Sequence, residues 1–561
     1  MRDRRALARL NALLMALLLV AAACGGDDDD SSSGGGSSTT EAQGKPEPGG
    51  TLVVGAEQEL DCADWIASCA GASWGTWIYG GLTMPRAHDF DPKSGELVTS
   101  PLLAKDVVLD DADGPGMKLT YTIADDAVWS DGQPITSTDF KFTWDAIKNG
   151  KDIYDASGYK DIASVDDSDP KVAVVTLTQD YAAWKELFGA NFGVYPSHIL
   201  QGKDHNAEMK DGYKWSGGPW MLDHWTKGQE LALVPNPKYW GDKPNLDKVV
   251  FKFIPETAAE VEAYKSGQVA AIYPQAQLEL EELKNAPDTE FSAGKTLSFE
   301  ALWFNTAKAP LDDVHVRTAL AYATDRKAIV DALFKPVDPN IQPIQAFITP
   351  SNNKWYSDPF SKYTRDLDKV TQQMTDGGWK KGSDGVWAKG GVKAAFELNS
   401  TAGNARRQRT GEILQSQWKE AGFDLKLNYT TPATIFGEWL PQGNFNIGLY
   451  AQSPLSTDPS ICSLFCSENI PPAGQNYTRL KSKALDDVWK AVQSTLDEGK
   501  RKQLVDEGHQ AIADELPALP VDPLENILVY NTAKINGAGG SNVVYGPFAD
   551  LAGWWCTGGA C

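Results

Sequence analysis

Short runs of the chain alternate between apolar and polar residues, and each alternation predicts a strand. Thr51-Leu52-Val53-Val54 is the first such run. Leu119-Thr120-Tyr121-Thr122-Ile123 follows Val107-Val108-Leu109, and Asp110-Asp111-Ala112-Asp113-Gly114 between them reads as a hairpin turn. From Val172 to Leu177 a period of two puts Ala173, Val175 and Leu177 on one face, with Val172, Val174 and Thr176 on the other. Helical spacing begins after the turn Trp129-Ser130-Asp131-Gly132-Gln133-Pro134. Thr136 and Asp139 form a T-x-x-D start signal, and Phe140, Trp144 and Ile147 recur at i, i+4, i+7. The clearest unit lies between Ala394 and Leu427. Ala395-Phe396-Glu397-Leu398 reads as a strand, and Glu412 to Ala421 as a helix with Leu414 and Trp418 inward. Gly422 serves as the C-cap, and Phe423, Leu425 and Leu427 make a second strand. Strand, helix and strand of these lengths predict a right-handed parallel crossover. One further helix is predicted from about Asp313 to Phe334, with Val316, Leu320 and Ala323 inward and a stop before Pro336. The pattern is that of mixed α/β lobes without an internal repeat.

The chain begins differently. Arg2, Arg4, Arg5 and Arg9 precede an apolar run, Ala12 to Ala23, that holds no charge. A permanent membrane helix needs about 20 apolar residues, so this shorter run with small residues at its end reads as a secretory signal peptide over residues 1–23. Val20-Ala21-Ala22-Ala23-Cys24 resembles a bacterial lipobox, although Ala21 stands where Leu is usual. That resemblance makes Cys24 the lipidated N-terminus of the mature chain, and plain cleavage after Ala23 is the alternative. Residues 24–50 carry almost no large apolar side chain and cannot bury enough surface to order themselves. A flexible chain of that length spans roughly 25–30 Å, which makes it a tether.

Size and charge narrow the classes. Roughly 510 residues beyond the tether exceed one core and imply two or more lobes. The net charge is −23, with no basic footprint for nucleic acid or for anionic lipid. Apart from Cys24, six cysteines lie in near pairs: Cys62/Cys69, Cys462/Cys466 and Cys556/Cys561. Six cysteines allow 15 connectivities; in an oxidising exterior the three local disulfides are the simplest. A metal site is disfavoured, because the spacings are not C-x-x-C and no histidine lies near any pair.

Fragments that imitate active sites fail on context. Gly71-Ala72-Ser73-Trp74-Gly75 matches G-x-S-x-G, but about 25 structured residues before Ser73 are too few for the sheet a nucleophile elbow tops. A secreted serine hydrolase is therefore a remote alternative. Gly294-Lys295-Thr296 lacks the leading glycine of a phosphate loop, since Thr289 stands there. The six histidines are scattered without paired spacing. Nothing selects catalytic chemistry, a metal or a cofactor.

Five motifs in a fixed order resemble the extracytoplasmic solute-binding proteins of ABC importers, family 5, in the oligopeptide, dipeptide and nickel-binding branch. They are Trp129 to Asp139; Ser216-Gly217-Gly218-Pro219-Trp220; Asn236-Pro237-Lys238-Tyr239-Trp240 with Pro244-Asn245-Leu246-Asp247; Phe304-Asn305 through Arg317-Thr318-Ala319-Leu320 to Asp325-Arg326; and Asp458-Pro459. The similarity runs from about Gly50 to Pro520, and these motifs read as scaffold rather than ligand contacts.

The resemblance implies a two-lobed, type II periplasmic-binding-protein-like α/β fold with hinge strands. Lobe 1 would span 51–305, with an extra subdomain at about 80–195, and lobe 2 would span 306–515. Residues 516–561 would return to lobe 1 and end in a disulfide tail. It further implies a non-enzymatic monomer, lipid-anchored on the outer face of the cell membrane, that delivers a captured solute to an ABC permease. In peptide-binding relatives an aspartate three positions before the acidic-Pro pair grips the peptide amino group. Leu455 occupies that position, so the amine anchor is missing or displaced. An oligopeptide-like ligand leads, with a saccharide or siderophore-like solute as the alternative. Residues matching the cleft lining are Trp65 and Ser68 in the Cys62 to Cys69 loop, and Tyr450, Gln452 and Ser453 at a strand exit.

Overall fold

The first strand, Thr51–Ala56, sits near the middle of a seven-stranded sheet in the computed structural model of the chain. The structure describes residues 45–67, 73–91, 96–110, 116–189, 192–294, 296–352, 354–431, 434–454, 456–539 and 544–561. Across the sheet the order is Thr289–Ala293, Ile527–Asn531, Ala271–Ile272, Thr51–Ala56, Lys248–Phe253, Glu230–Pro235 and Trp220–Thr226. Thr51–Ala56 runs parallel to both neighbours, with Val53 opposite Val250 and Val54 opposite Ala271. Leu52, Val54 and Ala56 are buried, so the alternation seen in the sequence places one face on the core.

A second sheet of five strands has the order Asp424–Thr430, Ala395–Thr401, Ile447–Gln452, Phe299–Phe304, Ala518–Pro523. Ala395–Thr401 and Asp424–Thr430 pair in parallel, with the helix Ala405–Ala421 between them in sequence. That helix begins seven residues before Glu412, because Asn404 caps it by accepting the Arg407 N–H at 2.9 Å. Gly422 ends it at φ +93°, and a Cβ there would meet Lys381, the Gly385 carbonyl and Trp387 at 2.9 to 3.0 Å.

The chain crosses between the two sheets after Ala293 and again after Pro523. Each sheet has a hydrophobic core. One gathers Leu119, Trp129, Trp220 and Phe251; the other gathers Trp303, Leu320, Trp418 and Trp489. A four-stranded antiparallel sheet, in the order Val108–Asp110, Lys118–Thr122, Val172–Leu177, Ile162–Asp169, adds to the first core. The first two of its strands pair antiparallel, Leu109 opposite Leu119, on either side of the turn expected at 110–114, most of which lies outside the described residues. Ala173, Val175 and Leu177 point inward as their period of two requires.

The Trp129 motif packs around one carboxylate. Buried Asp139 accepts the Thr136 N–H at 2.9 Å, which fixes the start of the helix Ser137–Asn149. It also takes both the N–H and the hydroxyl of Ser197, at 2.8 and 2.6 Å, and the Trp129 indole N–H at 3.4 Å.

The helix expected from Asp313 to Phe334 is two helices, Val314–Ala323 and Arg326–Phe334. The apolar period continues across the break because both pack on one core, but Thr324 is extended there. Asp325 starts the second helix by accepting the Ala328 N–H at 2.9 Å, while its own N–H donates to Gln417. The Arg326 guanidinium then donates to the carbonyls of Ile344, Phe360 and Pro520, drawing three segments to the break.

Disulfides join Cys462 to Cys466 and Cys556 to Cys561. Cys24, Ser68, Cys69 and Leu455 lie outside the described residues, as do residues 1–23.

Candidate functional site

A cavity of about 920 Å³ opens between segments beside the four-stranded sheet and segments around one end of the five-stranded sheet. One wall comes from residues 153–161 and from Gln179–Tyr181, Glu186, Leu187 and Phe192, beside the four-stranded sheet. The facing wall comes from Phe347–Thr349, from the exit of the strand Ile447–Gln452, and from Ala473–Gln475 and Gln493–Ser494.

The strand exit is the most informative part. Ile447 to Tyr450 are buried inside the five-stranded sheet, and Gln452 and Ser453 then emerge onto the cavity wall. Ser453 is held from behind by Ser298, whose hydroxyl lies 3.0 Å from its own, next to a sheet crossing. Asn352 donates to the Thr457 carbonyl at 2.8 Å and fixes the following loop. Cys462, joined to Cys466, closes a tight turn on the same wall.

The structure does not bring all the expected site residues together. Gln452 and Ser453 line the cavity. Tyr450 lies one layer behind them, buried between Trp303 and Phe436. Trp65 is packed among Tyr195, Tyr213 and Trp215, with its indole N–H on the Gly193 carbonyl at 3.2 Å. Ser68 falls outside the described residues.

Two charge systems, the first half-buried and the second buried, were not visible from motif spacing. In the first, Glu186 on one wall meets Ser456 and Asp458 on the other. The Ser456 hydroxyl donates to Glu186, and the Asp458 N–H reaches its Oε1 at 3.3 Å. Asp458 is paired with Arg501, which also donates to the Val492 carbonyl at 2.8 Å. Burial, and then the charge of Asp458, push the Glu186 carboxyl up to about 8.

The second system sits at the sheet crossings. Glu300, the lone acid in the buried strand Phe299–Phe304, holds Arg406 at 3.1 Å and Arg407 at 3.0 Å. Burial pushes Asp522 up to about 8 against the pull of Arg406, and Glu57 up to about 7 against the Gln275 N–H and the same arginine. Glu260, with neither carboxylate oxygen hydrogen-bonded among the described residues, is raised by burial and by the charge of Glu57. A lone Glu in an apolar run was a legible signal. Its partners, more than a hundred residues away, were not.

The arrangement is a walled space with polar groups at a strand exit, built to hold a solute. The profile of the bacterial extracellular solute-binding proteins, family 5 Middle, matches residues 98–507. The oligopeptide-binding protein AppA of Bacillus subtilis is 26% identical over 507 residues, which cover 85% of this chain and 87% of that protein. Among solved structures, the periplasmic EDTA-binding protein EppA superposes with a TM-score of 0.83 at 21% identity, over 94% of this chain and all of that one. The B. subtilis AppA structure with a nonapeptide superposes with a TM-score of 0.78 at 23% identity, over 91% of this chain and 100% of that one. The fold is that of type II periplasmic binding proteins, and the chain belongs to the bacterial extracellular solute-binding proteins of family 5.

Proposed function

We propose that the protein captures an oligopeptide-like solute between two closing lobes and delivers it to the permease of an ABC importer. The observation that carries this reading is the cavity of about 920 Å³, with one wall beside the four-stranded sheet and the other at the exit of the strand Ile447–Gln452. Its size is at the upper end of ordinary ligand pockets, which suits several residues of an extended chain. The nonapeptide held by the Bacillus relative supports the same ligand class.

The hinge lies at the two crossings between the sheets, residues 293–299 and 523–527. This division places the strands Phe299–Phe304 and Ala518–Pro523 in lobe 2, a few residues away from the boundaries at 305 and 515. Gln452 and Ser453 serve as ligand contacts, with backbone groups at the strand exit pairing to an extended solute irrespective of its side chains. Trp65 and Tyr450 stiffen the two walls from behind. Closure is a two-state equilibrium, and the solute shifts it through contacts made better in the closed form.

The rest of the role follows from the sequence. Cys24 carries the lipid, residues 24–50 form the tether, and a monomer is thereby held near its permease at raised effective concentration. Replacing Cys24 with Ser is expected to release the protein into the medium, and retention of C24S on the membrane would remove the anchor from this reading. For the ligand, native mass spectrometry of freshly purified protein is expected to show a carried-over mass. A pool of tryptic casein peptides is expected to raise the melting temperature by linkage. Turnover of those peptides, or no shift with any peptide pool, would overturn the reading.

A further inference from the structure

Glu186 ends the short helical turn Trp184–Glu186 on one wall of the cavity, yet two donors to its carboxylate come from the other wall. They are the Ser456 hydroxyl and the Asp458 N–H. The same stretch makes a second bridge close by, where the Ala182 N–H donates to the Gln493 carbonyl at 2.8 Å. Separating the walls breaks all three bonds and returns the Glu186 carboxylate to water. We propose that Glu186 is a proton-linked latch on lobe closure, its carboxyl taking up a proton as the lobes shut and releasing it as they open. This rests on the two-lobe reading above.

Closure takes the Glu186 carboxyl out of water, and this desolvation sets the direction against the Ser456 and Asp458 bonds, which favour the charged form. From lobe 2, Asp458 repels a charge on Glu186, and Arg501, the attracting cation, is already paired with Asp458. From lobe 1, Tyr159, Tyr181 and Tyr545 face it with buried phenols that bring no positive charge, and its neighbour Lys185 is exposed. In the closed form the carboxyl titrates at about 8, whereas in water it returns to its ordinary value of 4.5. Between those values the closed form holds a proton that the open form lacks. Closure is therefore fully favoured below about 4.5 and weakens as pH rises through about 8, by up to tenfold per pH unit.

The deciding experiment is small-angle scattering of the purified, solute-free protein between pH 5 and 9, with circular dichroism checking that each variant is folded. The wild type is expected to expand as pH rises, its closed-to-open ratio falling at least tenfold between pH 5 and 8. Glu186→Gln keeps an oxygen that accepts both bonds and needs no proton, and its ratio is expected to change less than twofold over that range. Ser456→Ala removes one donor and is expected to expand the protein already at pH 5. A wild type of constant dimensions, or a Glu186→Gln protein that still expands with pH, overturns the latch. Peptide binding is read separately by thermal shift, so loss of the peptide reading leaves this outcome untouched.

Discussion

Trp303 lies flat against Tyr450, with ring centroids 5.3 Å apart and planes 15° from parallel, and its indole N–H donates to the Tyr450 carbonyl at 3.1 Å. The pair locks adjacent strands of the five-stranded sheet just before the chain emerges at Gln452 and Ser453. The Tyr450 hydroxyl is buried and has no hydrogen-bond partner among the described residues. A buried unpaired polar group costs about 1–3 kcal/mol. Tyr450→Phe is thus expected to stabilise the protein by ~1 kcal/mol in urea unfolding. Tyr450→Ala, which leaves a cavity beside Trp303, is expected to lose about 3–5 kcal/mol. A destabilised phenylalanine variant would mean that the hydroxyl is paired after all.

Asp522 gives the protein a pH dependence of definite sign. Its Oδ2 is buried and has no hydrogen-bond partner among the described residues, and burial pushes the carboxyl from 3.8 to about 8 in the folded state. The folded protein then holds a proton that the unfolded chain has lost. Stability from this group is present in full below about pH 4 and is lost as pH rises through about 8. Asp522→Asn removes the ionisation. Its advantage over the wild type is expected to grow by more than ~1 kcal/mol between pH 4.5 and pH 8.5. Thermal unfolding at the two pH values makes the comparison, and parallel losses in both proteins would count against it.

Local rules made part of this fold legible. Thr136 and Asp139 marked a helix start because capping needs only neighbours, and Gly422 marked a helix end because positive φ is a property of one residue. Distance erased the rest. The break at Thr324-Asp325 escaped notice because the Gln417 and Trp418 side chains that satisfy it lie more than ninety residues away. Trp65 was matched to the cleft by position in the chain, whereas Tyr195, Tyr213 and Trp215 enclose it. Gln452 and Ser453 reached the cavity wall because a buried strand that runs out of partners must expose its next residues. Glu186 carried no sequence signal, since its partners Ser456 and Asp458 come from the opposite wall.

The disulfide tail clamps the segment that leads into the first strand, Thr51–Ala56. Cys556 pairs with Cys561, and the strand Trp555–Cys556 lies beside Ile535–Asn536. Gly50 packs so tightly there that a Cβ would meet the Cys556 sulfur at 2.9 Å and the Gly559 carbonyl at 2.8 Å, and the Gly558 N–H donates to Glu47 at 2.6 Å. A loop this short contributes about 2 kcal/mol by chain entropy. Replacing both Cys556 and Cys561 with Ser is expected to cost about that much and to expose the bond after Gly50 to proteolysis. An unchanged cleavage pattern would show that the strand pairing alone holds the clamp.

Glu300 divides its charge between two guanidinium groups, and the asymmetry of their neighbours separates their roles. Arg407 also donates to the Thr401 hydroxyl at 2.7 Å and so ties the helix Ala405–Ala421 to its own strand. Arg406 faces the acids at the crossings more directly, where its charge lowers the carboxyls of Asp522 and Glu57 against burial, with Arg407 adding less at Asp522 alone. Glu300→Ala leaves two buried cations without their shared partner and is expected to cost about 3–5 kcal/mol. Arg406→Met leaves Glu300 paired to Arg407, so its cost at pH 5, with Asp522 and Glu57 protonated, is expected to be smaller. As pH rises past 7 those acids ionise without their cation, and the Arg406→Met deficit should widen. Urea unfolding at pH 5 and pH 8.5 measures that widening. A deficit independent of pH would show that Arg406 acts through packing and Glu300 alone.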